Sequence, residues 1–449
     1  MMRLGISTAA VALLATGAVA DGHLIVTPGE GVFDWDSYEE FAAAHDYTGQ
    51  TLTMASPWLG PDAVAAEAVL AYFAAATGAS VTQAGSDSFE QQILIDTAAG
   101  SPPNVAVFPQ PGLACDLAAR GFLSPLGDET AAWMAENYAA GPSWVALGSC
   151  DKVEGFYSFA YSVNVKSLVW YVPEDFEEAG YEIPESMEEL KALTDQIVAD
   201  GGTPWCIGLG SGGATGWPAT DWVEDMMLRT QPPEVYDQWV KNEIPFTDPR
   251  IVAAIEEFGH FALNDDYVAG GASAVASTDF RDSPDGMFSS PPQCYMHRQA
   301  SFIPAFFPED VVVGEDADFF YLPSYEAADL GKPVLGAGTL MAITDDSEVT
   351  RGFIEFLKLP LAHEIWMSIE TQAFLTPHLG ANLEAYHNDT LRGQGEILRN
   401  ATTFRFDGSD LMPGGVGAGT FWTGMVDYAS GKSAQEVASD IQDSWDSLK

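Results

Sequence analysis

Between residues 79 and 126 the chain alternates short apolar strands with helices: ASVTQ, then FEQQILIDTAAG, then NVAVF, then LACDLAARG leading into FLSPL. A strand that returns beside its predecessor through a helix runs parallel to it, and a parallel sheet needs helices on its faces. The alternation therefore predicts an α/β fold with a largely parallel sheet. Local signals agree. Pro61 opens a helix that runs to Thr77 and stops at Gly78. The run Asp87-Ser88-Phe89-Glu90 resembles a capping box. The chain has 449 residues, too many for one ordinary core, so two lobes are expected. A second block starts near residue 160 with SVNVKSLVWYV, followed by a helix capped at Ser186 and by the strand TPWCIGL.

Charge excludes several function classes. There are 65 acidic residues against 18 basic ones, a formal net charge of -47 spread along the chain. Such a surface repels nucleic acid and anionic lipid, so no nucleic-acid partner is expected. The first twenty residues, MMRLGISTAAVALLATGAVA, carry Arg3, an apolar run and Ala18-Val19-Ala20. This reads as a signal peptide (1–20) cut before Asp21, with a soluble exported product. The apolar run falls short of the ~20 residues that span a bilayer. In that compartment the four cysteines imply two disulfides, with three possible connectivities. Cys115–Cys150 and Cys206–Cys294, each inside one lobe, are favoured. No pair has zinc-ligand spacing and the seven histidines are scattered, so no metal or cofactor is expected.

The stretch IGLGSGGATGWPATDW (207–222) contains Gly208, Gly210 and Gly213 in a G-x-G-x-x-G pattern. A dinucleotide site needs a helix starting directly after such glycines. Here ATGW intervenes, and Pro218 is the natural first-turn residue of the next helix. Ser211 lacks the G-x-S-x-G context of a nucleophile. With 65 acids a carboxylate pair can always be found, so none has a local signature. No motif supports an enzyme. Aromatic residues are more informative. Trp58, Trp205, Trp217 and Trp422 sit beside Gly, Pro and polar residues, where a ring can stack on a pyranose face while amides and carboxylates bind its hydroxyls. Asp87 is a candidate for a hydroxyl contact or an N-cap. Arg298, in an apolar segment, needs a carboxylate or ligand partner.

Long ordered segments resemble the extracellular solute-binding proteins of bacterial ABC importers, of the maltose-binding type. They are NVAVFPQPG with LAARGFLSPL, YSVNVKSLVWYVPEDFEEAGYEIPESMEEL, GKPVLGAGTLMAI and FWTGMVDYASGKSAQEVASDI. Four others, TPWCIGLGSGGATGWPATDWVED, IPFTDPR, PPQCYMHRQASFIPAFFP and FRFDGSDLMPGGVGAGTFW, resemble the periplasmic α-glucoside-binding proteins in particular. The resemblance implies a two-lobed periplasmic-binding-protein fold (type II), with a ligand cleft between lobes joined by crossing hinge strands. It implies an N-lobe of 21–162 and 335–380, and a C-lobe of 163–334 and 381–449. It implies capture of an α-glucoside in the periplasm and delivery to the permease subunits by a monomer that performs no chemistry. By position it implies ligand contacts at Trp58, Asp62, Gln110, Asn164, Trp205, Phe302 and Trp422. Trp217, Asp221 and Arg298 are added from the narrower resemblance. The turn PQPG stands where maltodextrin binders carry acidic and tryptophan residues, so the hydroxyl pattern and sugar length differ. The alternatives are the same fold binding a polyol or modified sugar, and a secreted glycoside hydrolase.

Overall fold

The computed structural model describes residues 24–86, 88–369 and 374–448. The signal peptide and Asp87 therefore lie outside the described residues. No described helix is long and apolar enough to cross a membrane. The first lobe is built on β1 (Thr51–Ser56), β2 (Ser80–Gly85) and β3 (Val105–Phe108), all parallel, with β1 between the other two. Of these, β2 and β3 are the strands ASVTQ and NVAVF read from the alternation; β1 precedes that stretch. The hairpin β4 (Ser149–Cys150) and β5 (Val153–Phe156) leads into β6 (Ser158–Val165). Next come β7 (Leu168–Tyr171), β8 (Met296–Arg298) and β9 (Asp318–Tyr321), a separate three-stranded sheet with β7 in the middle. The long β10 (Pro333–Ile343) returns to the first sheet and pairs with β3, β6 and β11 (Thr403–Phe406).

The expectation of a largely parallel sheet holds for β1, β2 and β3 and for the pair β10 and β11. The strand β10 is antiparallel to both β3 and β6, and the second sheet is antiparallel throughout. Two glycines let β10 lie close to β6. A Cβ at Gly338 would sit 2.2 Å from the Ser162 carbonyl, and one at Gly336 would sit 2.6 Å from that of Asn164. The register of this ladder shifts between Gly338 and Leu340.

Two cores follow. The first buries Leu52, Phe73, Val107, Tyr161, Leu340 and Phe353 among others; the second buries Trp205, Trp222, Met226, Trp239, Phe261 and Trp445. Alternate residues of β7 serve both, with Leu168 and Trp170 in the first core and Val169 in the second. The run from Ala381 to Phe406, which the family resemblance assigned to the C-lobe, buries its apolar side chains in the first core. Its helix Asp389–Arg399 also touches the second sheet, where Gly393 lies against Phe319. The second core resumes at Met412. The disulfides are Cys115–Cys150 and Cys206–Cys294, with Cα separations of 5.3 and 5.5 Å.

Where the chain passes between lobes it carries buried charge. Lys166 follows β6, and its Nζ donates to Asp221 Oδ1 at 2.8 Å and to an Asp407 carboxylate oxygen. Its backbone N–H reaches Leu335, and that of Asp407 reaches Gly336, both at 2.8 Å. Ser167 Oγ donates to Asp225 Oδ1 (2.8 Å) and accepts from Leu335 N–H (2.9 Å). Arg229 and Arg298 both pair with Asp225.

Burial opposes charge here, and proximity decides which groups keep it. Burial pushes Asp221 up to about 7 and Asp410 up to about 8, and raises Glu224 well above the carboxylate range. Burial also works against Asp407, but Lys166 holds it down to about 2. Burial would discharge Lys166, yet Asp221 and Asp407 hold its ammonium above its ordinary value.

Two outcomes are expected. Lys166→Met leaves buried carboxylates without their cation and should cost about 3–5 kcal/mol in urea unfolding; a loss below about 1 kcal/mol would contradict a tie at this point. The second concerns pH. Asp221, Glu224 and Asp410 bind protons in the folded state where the unfolded carboxyls are ionised. Their stabilisation is therefore fullest at low pH and fades as pH rises through about 7 to 8. Burial lowers His297 to about 4 and also lowers His363 and His378, which oppose the trend only below the ordinary histidine value. The melting temperature should thus rise from about pH 8.5 to about pH 6.5, and rise less in Asp221→Asn. A flat profile in the parent protein would refute the assignment.

Candidate functional site

Three glycines of 207–222, Gly208, Gly210 and Gly216, have a packing role. A Cβ at Gly208 would lie 2.7 Å from the Thr278 carbonyl and one at Gly210 would lie 3.0 Å from it. Gly210 N–H donates to Thr278 O and Gly210 O accepts from Phe280 N–H, both at 2.8 Å. This seats one backbone on another and leaves no phosphate cradle between the glycines. Gly216, with φ +112°, precedes the helix Trp217–Thr230, which has Pro218 in its first turn as expected. A Cβ on Gly216 would lie 2.2 Å from the Trp422 carbonyl, so only glycine allows the two tryptophan-bearing segments to meet.

That meeting builds an aromatic wall. Trp217 is half-buried, edge-on to Phe280 (4.9 Å) and tilted against Phe302 (6.1 Å). The Lys166 ammonium stands 5.4 Å from its ring centroid. Trp422, also half-buried, donates from Nε1 to Ser409 Oγ at 3.3 Å, and Ser409 Oγ donates to Asp407 Oδ1 at 2.8 Å. The same turn carries Asp410, whose carboxyl is held largely protonated by burial and by its neighbour Asp407.

The first lobe meets this wall at the helix Pro111–Ala119, where Gly112 lies 3.9 Å from the Asp410 carbonyl, measured from an added Cβ. Gln110 is the N-cap of that helix. Its Oε1 is buried without a hydrogen-bond partner, as is Thr420 Oγ1. A buried acceptor without a donor costs about 1–3 kcal/mol. A ligand hydroxyl would remove that cost.

The sequence-derived residues thus separate into groups. Trp217, Asp221, Phe302 and Trp422 share one neighbourhood, joined by ring contact, by Lys166 and by the approach of Gly216 to Trp422; Gln110 stands apart at the N-cap of the helix Pro111–Ala119, and Asn164 is half-buried on β6 two residues before Lys166. Asp221 is a floor residue, fully buried and bound to Lys166. Arg298 lies beneath it: its Nη2 donates to Asp221 O at 3.1 Å, and its charge is paired with Asp225. Asp62 is exposed in the first turn of the helix Pro61–Thr77. Trp58 packs edge-on against Trp366 at 4.8 Å in the first core. Trp205 is wholly enclosed in the second core, between Trp222 and Phe261, and its Nε1 donates to Thr194 Oγ1 at 3.1 Å. Burial leaves neither ring a face for a sugar. Lys166, Phe280, Ser409, Asp410 and Thr420 were not singled out from the sequence. The one signal was a lysine inside the apolar run SVNVKSLVWYV, in a chain with 18 basic residues.

Carboxylate oxygens of Asp221, Glu224 and Asp407 lie within 4.8 Å of one another and could surround a cation. The Lys166 ammonium already serves Asp221 and Asp407 in that role. A cavity of about 450 Å³ lies elsewhere, between the helix Pro111–Ala119, Asp237–Lys241 and Phe404–Phe406. Its charges pair with each other, Arg405 with Asp237 (2.7 Å) and Lys241 with Asp151 (2.8 Å), and none of the wall aromatics lines it. The aromatic wall with its unpartnered acceptors is the stronger candidate.

Known proteins agree with this architecture. The profile of the family "Bacterial extracellular solute-binding protein" matches residues 57–360. The chain is 62% identical, over 99% of each chain, to the alpha-glucosides-binding periplasmic protein AglE of Rhizobium meliloti (strain 1021). It is 42% identical to the osmoprotective compounds-binding protein GgtB of Synechocystis sp., over 89% of this chain and 93% of that one. Among solved structures, the bacterial solute receptor AcbH superposes with a TM-score of 0.74 at 17% identity, over 89% of this chain and 99% of that one. Two cores on crossing strands and these matches lead to one conclusion: the chain belongs to the bacterial extracellular solute-binding proteins and has their two-lobed α/β fold.

Proposed function

We propose that this protein captures an α-glucoside in the periplasm, after export and cleavage of residues 1–20, and delivers it to an ABC permease as a monomer without chemical change. The observations that support this most are the half-buried rings of Trp217, Phe302 and Trp422 and the buried, unpartnered Gln110 Oε1 at the N-cap of the helix Pro111–Ala119. Rings offer stacking faces to a pyranose, and Gln110 and Asp410 offer polar atoms to its hydroxyls. The helix behind Gln110 packs in the first core and the helix that begins at Trp217 packs in the second, so a ligand touching both favours the closed form. Closure then supplies the signal a permease can read, because only the loaded form has both lobes at fixed spacing. Asn164 and Asp62 act at the cleft margin. The resemblance to AglE, at 62% identity over 99% of the chain, supports the sugar class.

A second reading, a polyol or modified sugar serving as osmolyte, is favoured by the 42% identity to a protein named for osmoprotective compounds. Trehalose, sucrose, maltose, glucose and polyols compared by thermal shift separate the two. A preferred ligand at about 100-fold its Kd should stabilise the fold by about 2.7 kcal/mol. Stabilisation by polyols alone would select the second reading. Release of nitrophenol from a nitrophenyl α-glucoside would select a hydrolase instead. Trp217→Ala should weaken sugar binding about 10-fold while the unliganded melting temperature shifts by only a few degrees. Unchanged affinity would remove Trp217 from the site.

A further inference from the structure

Phe306 is the one aromatic ring among the described residues that is exposed, at 36%. Isolated exposed apolar residues are ordinary. This one is continuous with the cleft wall. Its ring is edge-on to Phe280 at 5.5 Å, and Phe280 is edge-on to Trp217 at 4.9 Å. Phe302 and Phe306 bracket the same short turn, Ile303–Phe306, in which Pro304 fixes the backbone. The Arg281 guanidinium stands 4.4 Å from the Phe280 centroid and 5.7 Å from that of Phe306. Arg281 is in turn held by Asp279, with Nη1 at 3.1 and 3.2 Å from the two carboxylate oxygens. The Gly210 backbone pins Phe280 from behind. Phe306 is thus an apolar face that is held in place and left uncovered.

We propose that Phe306 is the stacking platform for a second ring of the ligand, and that it sets a preference for two-ring α-glucosides over single glucose units. This rests on the α-glucoside reading above. A single pyranose on Trp217 and Phe302 leaves the Phe306 face in water. A disaccharide, or a glucoside with an aromatic aglycone, covers both faces at once. Arg281 anchors the outer platform and offers guanidinium donors to hydroxyls of the outer ring.

Calorimetric titration of methyl α-glucoside, trehalose, sucrose, maltose and nitrophenyl α-glucoside tests this, on the parent protein, Phe306→Ala and Phe306→Trp. The parent should bind the preferred two-ring ligand at least about 10-fold more tightly than methyl α-glucoside. Phe306→Ala should lose most of that ratio and leave methyl α-glucoside affinity and the unliganded melting temperature unchanged; Phe306→Trp should keep the ratio. Equal affinity of the parent for one-ring and two-ring ligands overturns the platform and leaves the α-glucoside site standing. So does an equal loss for both ligand classes in Phe306→Ala. Failure of the parent to bind any of the five overturns both readings.

Discussion

The ammonium of Lys166 is the interaction on which the rest of this structure depends. It sits where β6 leaves the first lobe, and it bonds Asp221 at the start of the long helix of the second lobe and Asp407 where the chain crosses again. Three segments distant in sequence meet at one cation. A buried cation is tolerable only when carboxylates surround it, and they are tolerable only because of it. The surplus acid is stored as protonated carboxyl on Glu224 and Asp410 and partly on Asp221. Removing any one member therefore changes the charge state of the others.

The candidate site is laid directly on this tie. Trp217 leans on Lys166, Trp422 is joined to Asp407 through Ser409, and Asp410 follows in the same turn. The ring wall is thus fixed to the crossing itself, whereas Gln110 is carried on the helix Pro111–Ala119, which packs in the first core.

Much of this was legible in the sequence. The strands β2 and β3, the helix stop at Gly78 and the cap at Ser186 follow from local pattern, and the cysteines pair as favoured among three connectivities. The antiparallel entry of β10 was not, because it depends on glycines meeting a strand some 170 residues earlier. Trp58, Trp205, Trp217 and Trp422 look alike in sequence, each flanked by loop residues. Only packing separates the two enclosed in cores from the two left half-buried. Asp407 and Asp410 were hidden for another reason: in a chain with 65 acids, what marks an acid as unusual is its burial. In the G-x-G-x-x-G stretch, Gly208 and Gly210 are explained by backbone contact with Thr278 and Asp279, which no local pattern announces.

Each disulfide joins neighbouring parts of one lobe. Cys115 and Cys150 link a helix to the hairpin beside it, and Cys206 and Cys294 link the Trp205 segment to the approach of β8. Neither covalent link spans the crossing segments. Each link can therefore stiffen its own half without setting the angle between the two.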